Sequence, residues 1–202
     1  VVRPISYDFA RSGHALCIVD TGSDHSAKHL TEDYSDITRE MRSVAVHFSK
    51  QLLREVPEAD FRSAIPALRR ECGDRAVLRA LHFYDDDRRA VQEADALERG
   101  DFQAFLALVN ASGVSSALHL QNTWSIADPR QQAIPVVLAL GRELLEGSGA
   151  IRVHGGGFAG TVQAFVPQEK LERFRTGMEA LLGPGMCHVL RIRPQGGCVI
   201  TA

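Results

Sequence analysis

"RVHGGGFAGTVQAFVP", Arg152 to Pro167, sets four glycines and a phenylalanine between two apolar runs. The residues after the glycines decide the fold. Gly155, Gly157 and Gly160 match the GxGxxG spacing, but a dinucleotide fingerprint needs a helix directly after the turn, because the pyrophosphate rests on that helix's N-terminus. "TVQAFVP" is rich in β-branched and aromatic residues and closes on a proline, so it reads as a strand. The acidic residue expected roughly 20 positions later is missing too, since Glu179 falls within a predicted amphipathic helix. No Lys-Ser or Lys-Thr ends the glycine run, which excludes a P-loop. A glycine-rich hairpin remains, in which glycine occupies positive-φ positions without strain. Two residues suffice for a tight hairpin. A longer glycine run costs backbone entropy and packs no side chain, so close approach by another backbone or a ligand would account for it.

Outward from the hairpin, "AIRVH" is the strand before it, and Pro167 to Leu182 is a helix with Leu171, Phe174, Met178 and Leu181 on one face. Gly183 caps that helix, and "HVLRIR" is the last strand. Near the start, "HALCIVDTG" (His14 to Gly22) is a buried strand ended by a Thr-Gly turn. Tyr34, Ile37, Met41, Val44, Phe48 and Leu52 then recur at helical spacing, which predicts a helix from an Asp33 N-cap to about Val56. Asp74 opens a further helix up to Gly100, and Asp101 starts another. Asp128 and Pro129 form a cap and first-turn pair before "QQAIPVVLALGRELLEG", with Pro135 marking either a kink or a later start. The order is strand, several helices, strand, glycine turn, strand, helix, strand. It predicts an α+β fold, a ferredoxin-like split βαβ antiparallel sheet with additional helices inserted in the first crossover, as a single domain over 1–202. That fold hosts many functions and names none.

Composition narrows the classes. The chain has 202 residues, 45% of them apolar, which is enough for a full core. A formal net charge of −2 and the lack of a basic tract interleaved with aromatics argue against nucleic acid as a partner. Apolar runs stop far short of the roughly 18 residues that span a bilayer, so a soluble, cytoplasmic protein without a membrane partner is expected. Cys17, Cys72, Cys187 and Cys198 form no CxxC pair, which favours reduced thiols over disulfides or structural zinc. The opening "VVRPISYDFA" has no initiating methionine and leads straight into a strand, as expected of a piece of a longer protein.

Other candidates carry less. His25 and His29 have metal-ligand spacing but no intervening Glu, so HExxH is absent and a turn is the better account. Ser112, Ser115 and Ser116 cluster without any sequence tie to a histidine base, and they read as a helix interruption. Asp85, Asp86 and Asp87 run into Arg88 and Arg89, the mark of a solvated helical face rather than a metal site. His154 reads as a strand-end histidine bonded to backbone. No metal ligand set is assigned.

Taken together, several segments resemble one family. "HGGGFAGTVQAFVP" is similar to the third signature of the galactokinase branch of the GHMP kinases, a Gly-Gly-Gly-Phe-Gly-Gly loop between two strands. "IVDTGSDHSAKHLTEDYSDITREM" resembles the family's strand, histidine turn and helix-start tyrosine. "DRAVLRALHFYDDDRRAVQEADALERGDFQAFLALVNASGVSS" resembles its long helical stretch, and "RIRPQGG" its terminal strand. Three departures stand out. Ala159 replaces a usual glycine, Thr161 a small residue or cysteine, and "DTGSDHSAKH" is acidic where the family turn is rich in Asn and Ser.

The resemblance implies the C-terminal half of a galactokinase-like enzyme, with the GHMP C-terminal fold. Such enzymes transfer the γ-phosphate of ATP to a sugar hydroxyl with Mg²⁺, galactose being the first-choice sugar. By position, Tyr34 would contact the sugar, and Gly155, Gly156, Gly157, Phe158 and Gly160 would shape the site beside the nucleotide phosphates. Tyr34 is also in phase with Ile37 and Met41, so plain packing is its alternative. The family's galactose signature, main phosphate loop and catalytic Asp and Arg are absent from these 202 residues. The chain alone is therefore expected to be inactive, with the N-terminal half as its partner and self-association through an uncovered face if that half is missing. Two alternatives stay open: a non-catalytic sugar- or nucleotide-binding regulatory module, and an interaction domain that docks on a second polypeptide.

Overall fold

The computed structural model describes residues 3–23, 28–158 and 160–192. Its elements run β1 (His14–Asp20), α1 (Lys28–His47), α2 (Glu58–Glu71), α3 (Asp74–Glu98), α4 (Phe102–Ser115), a π-helical turn (Ser116–Leu120), α5 (Ala133–Leu145), β2 (Ala150–Val153), β3 (Thr161–Pro167), α6 (Leu171–Leu182) and β4 (Cys187–Leu190). The sheet order is β2-β3-β1-β4, and every pairing is antiparallel, with Val153 opposite Val162, Leu16 opposite Phe165 and Val19 opposite Cys187. β1 and β2 thus run parallel with β3 between them. This is the split βαβ arrangement expected from the order of elements.

Alternation along β1 sends Ala15, Cys17 and Val19 to one face. There they join Ile151, Val162, Val137, Phe174 and other residues in the core under α5 and α6. Two glycines let helices close on β2 from both sides. A Cβ on Gly141 of α5 would overlap Ile151 Cδ1, and one on Gly113 of α4 would stand 2.8 Å from Arg152 Cβ. Beyond the sheet, α1, α2 and α3 hold a second core around Val44, Phe61, Leu68 and Tyr84. An aromatic cluster of Phe9, Phe102, Phe105 and Phe165 joins α4 to the open face of the sheet. Cys17, Cys72 and Cys187 are free thiols, and Cys198 lies outside the described residues. Among the described residues no helix is long and apolar enough to cross a membrane.

Helix ends differ from the periodicity. Asp33 is no N-cap: α1 begins at Lys28, and Asp33 is a buried residue within it. The same helix stops at His47 instead of near Val56, because Ser49 turns left-handed at φ 56. The Ser49 N–H then bonds the Val46 carbonyl and the Lys50 N–H that of Ala45, at 2.8 and 3.0 Å. These are the two bonds of a Schellman cap, made here without glycine. Asp128 and Pro129 do not open α5, which starts later and carries Pro135 in its first turn, where a missing N–H breaks no helical bond. Asp101 caps α4 as expected, accepting from the Ala104 N–H at 3.0 Å. The last strand ends at Leu190, and the "RIRPQGG" segment from Arg193 onward lies outside the described residues.

One buried cation ties the inserted helices together. Arg79 on α3 is 1% exposed. It donates from Nη1 to Glu40 of α1 at 2.9 Å and from Nε to the Leu120 carbonyl at 3.1 Å. Glu40 also accepts from Arg75, which in turn reaches Asp36 at 2.9 Å. Replacing Arg79 by Met leaves Glu40 half-partnered and the Leu120 carbonyl without its donor. The expected loss is about 3–5 kcal/mol of folding free energy, as for a broken buried pair. Urea denaturation measures it, and a loss under about 1 kcal/mol would mean that both acceptors find other donors.

Candidate functional site

The glycine loop connects β2 to β3, and both of its neighbours in space come from the inserted segment. Gly155 and Gly157 take positive φ, 65° and 81°. Phe158 does the same at 60°, a costly conformation for an aromatic residue that persists only where packing imposes it. The packing is present: the Phe158 ring is buried with Leu30 and Ile37 of α1 and meets the Tyr34 ring edge-on at 5.2 Å.

Tyr34 touches the loop directly. Its hydroxyl donates to the Gly157 carbonyl at 2.8 Å, and its Cε1 would stand 2.6 Å from a Cβ on Gly156. Burial first, and then the Asp33 charge, push the Tyr34 phenol up from its ordinary value, so the proton stays on as donor. The residue is still 41% exposed. It both holds the loop and faces solvent.

From the other side comes Asn122, just past the π-helical turn. Its carbonyl accepts from the Phe158 N–H, and its Nδ2 donates to the Gly156 carbonyl at 3.1 Å. A Cβ on Gly157 would overlap the Asn122 carbonyl oxygen. The Gly160 carbonyl is taken by the Thr21 N–H at 2.9 Å. The loop carbonyls of residues 156, 157 and 160 are thus all bound from inside the protein. The N–H groups of Gly155, Gly156 and Gly157 find no acceptor among the described residues, and Gly155 and Gly156 lie at the surface. The Gly155 carbonyl has no donor among the described residues either.

Two buried acceptors also lack a donor among the described residues: Asn122 Oδ1 and Asp33 Oδ2. Asp33 shares the α1 face of Leu30 and Ile37, the residues packed on Phe158. Neither carried a functional signal in the sequence. Asn122 sits in "LQNTW", where no periodicity marks it, and Asp33 reads as a cap.

The remaining candidates separate. His154 is exposed and bonded to Thr161, through its N–H to the carbonyl and through Nδ1 to Oγ1, each at 2.9 Å. His25 lies outside the described residues, as does Ala159. Asp85 and Asp86 are paired with Arg88, Arg89 and Arg62. No group of three or more His, Cys, Asp or Glu stands together as metal ligands among the described residues.

The serine cluster departs from the sequence reading, because α3 brings a histidine to it. Ser115 Oγ lies 2.9 Å from His82 Nδ1, and Asp86 lies 3.6 Å from His82 Nε2. Ser112 donates to Asp86 and accepts from Arg152, both at 2.7 Å. With Ser115 only 2% exposed, this network fastens α3, α4 and β2 and presents no nucleophile.

No family model matches the chain. Individual proteins do. A galactokinase of Mannheimia succiniciproducens is 28% identical over 161 residues, 80% of this chain and 39% of that protein. One of Streptomyces coelicolor is 30% identical over 166 residues, 81% and 39% respectively. The chain is homologous to galactokinases. It spans about two fifths of the length of these curated relatives, 39% in both cases. Two solved structures share the fold. Lactococcus lactis galactokinase, solved with galactose, superposes on 92% of this chain with a TM-score of 0.67 at 19% identity, over 46% of its own length. L. major mevalonate kinase, solved with R-mevalonate, gives 0.51 over 94% of the chain at 14% identity.

The His82 network has a pH signature apart from any activity. Burial, the largest influence, pulls His82 below its ordinary value of 6.5, with nearby Asp86 opposing. The unfolded chain therefore binds this proton more readily than the folded one. Stability is full above about pH 6.5 and falls as the pH drops from there toward the folded value. The urea midpoint should decline between pH 7.5 and 5.5, and His82→Gln should flatten that decline. An equally steep slope in the variant would assign it to other groups.

Proposed function

We propose that this chain is the C-terminal domain of a galactokinase-like sugar kinase. In this reading it supplies a wall of the sugar site through Tyr34 and of the nucleotide site through Gly155, Gly156, Gly157, Phe158 and Gly160. One observation carries the proposal: the carbonyls of Gly156 and Gly157 are bound from within, while the N–H groups of Gly155, Gly156 and Gly157 are left without acceptors among the described residues. That is the polarity an anion requires, and backbone amides beside a bare loop suit a phosphate. Phosphoryl transfer depends mostly on positioning and charge stabilisation, so a rigid, donor-rich loop contributes without any reactive side chain.

Galactose is the first sugar to test, given the homology over four fifths of the chain. The Tyr34 hydroxyl has its proton engaged with Gly157, which leaves oxygen lone pairs to accept from a sugar hydroxyl. The described residues bring together no metal ligands. In this reading the Mg²⁺ ligands, the catalytic acid–base groups and the main phosphate loop belong to the rest of the protein, and this domain alone transfers no phosphate. A cytoplasmic setting, where ATP is abundant, goes with that reading. Without its other half the domain would self-associate through exposed Val189 and Leu190 on the edge strand β4.

ADP release by the full-length protein against a panel of sugars tests the proposal. Turnover with galactose or a related hexose is the expected result. Tyr34→Phe should lower kcat/KM for the sugar about fivefold, the scale of one hydrogen bond of about 1 kcal/mol. Nucleotide and sugar binding without ADP release would instead mark a regulatory module. Binding of neither would sink both readings and leave an interaction domain.

A further inference from the structure

We infer that Asn122 is the positioning residue of the glycine loop, the group that decides whether the loop turns N–H groups or carbonyls outward. The geometry stands by itself, and the consequence for nucleotide rests on the kinase reading.

Of the loop's two Gly-Gly peptides, the one between Gly156 and Gly157 is the one that Asn122 holds. Glycine on both sides means no Cβ resists rotation of that peptide plane. A flip would free the Gly156 carbonyl from Asn122 and turn the N–H of buried Gly157 to the opposite side, reversing that peptide's polarity in the loop. Asn122 Nδ2 holds that carbonyl at 3.1 Å. The Asn122 carbonyl meanwhile fixes the next amide, that of Phe158. One residue thus grips two successive peptides of the loop. The fit is close, because a Cβ on Gly157 would overlap the Asn122 carbonyl oxygen and lie 2.7 Å from its Nδ2.

The orientation of the amide follows from its partner. With the group reversed, Oδ1 would face the Gly156 carbonyl, acceptor against acceptor. Nδ2 therefore points to the loop, and Oδ1 is buried with no donor among the described residues. A buried amide with one end unmet is a poor choice for stability, since an apolar side chain of that size would leave nothing unpaired there. Its use is the bond it makes to the loop.

Asn122 is itself set in place from behind. Gln121 is left-handed at φ 57 and donates its N–H to the Ser116 carbonyl at 2.8 Å. Leu120 is held through its carbonyl by buried Arg79. Tyr34 grips the loop only from the opposite side, at the Gly157 carbonyl.

The test uses the full-length protein with Asn122→Asp, which keeps the shape and removes the donor, and Asn122→Ala, which removes both ends of the amide. ADP affinity is measured by calorimetry without sugar, KM for ATP and for the sugar by turnover, and amide exchange across 154–158 and across β3 by mass spectrometry. In both variants ADP should bind about tenfold or more weakly and KM for ATP rise alike, the scale that slight misplacement carries. KM for the sugar and kcat at saturating ATP should change little, and amides of 154–158 should exchange faster while those of β3 do not. Unchanged ADP affinity with unchanged loop exchange would overturn the inference. So would faster exchange spread evenly over loop and sheet, the mark of a merely structural residue. If the parent protein binds no ADP, the kinase reading falls and the exchange comparison alone decides the role of Asn122.

Discussion

The buried guanidinium of Arg79 is the contact on which the glycine loop's geometry depends. A cation out of water is tolerated only when it is paired and hydrogen-bonded, and Arg79 is paired with Glu40 and donates to the Leu120 carbonyl. Both partners lead to the loop. Glu40 lies on α1, the helix that carries Tyr34 and the Leu30 and Ile37 side chains under Phe158. Leu120 ends the π-helical turn from which Asn122 projects. Desolvation draws the Arg79 guanidinium down from its ordinary value, with the Glu40 charge opposing. The inserted helices are thus more than an addition to the first crossover. They form a frame with two arms on one loop.

Beneath these helices the sheet plays the part of an anvil. Gly113 and Gly141 let α4 and α5 close on β2 from opposite faces. Asn110 binds the start of the same strand, donating to the Gly149 carbonyl at 3.1 Å and accepting from the Ile151 N–H at 3.0 Å. The strand that enters the loop is therefore fixed before the loop begins. The strand that leaves it, β3, is fixed by pairing on both sides, with β2 and β1.

How much of this was legible depended on the range of the physics involved. The hairpin and the strand order were readable because "HALCIVD" and "TVQAFVP" are short β-branched or aromatic runs bounded by turn residues, a local signal of a strand. Helix ends were not, since Ser49 makes a left-handed cap that sequence reasoning assigns to glycine, and Pro135 sits in a first turn set by tertiary packing. Within the site, the glycines and Tyr34 stood out, while Asn122 and Asp33 did not. Their importance lies in which segment folds against them, and contacts such as Tyr34 to Gly157 span 123 positions of sequence. The Ser115–His82 bond was missed for the same reason.

Phe158 bears on binding kinetics as well as on shape. An aromatic side chain locked in left-handed backbone beside three glycines means that the loop's disorder is lost once, when the chain folds, and not again when a ligand arrives. The entropy of glycine-rich segments ordinarily weakens whatever they bind. Here it weakens the fold instead, so an anion meeting these amides would associate at a pace set by encounter and ionic strength rather than by waiting for the loop to assemble.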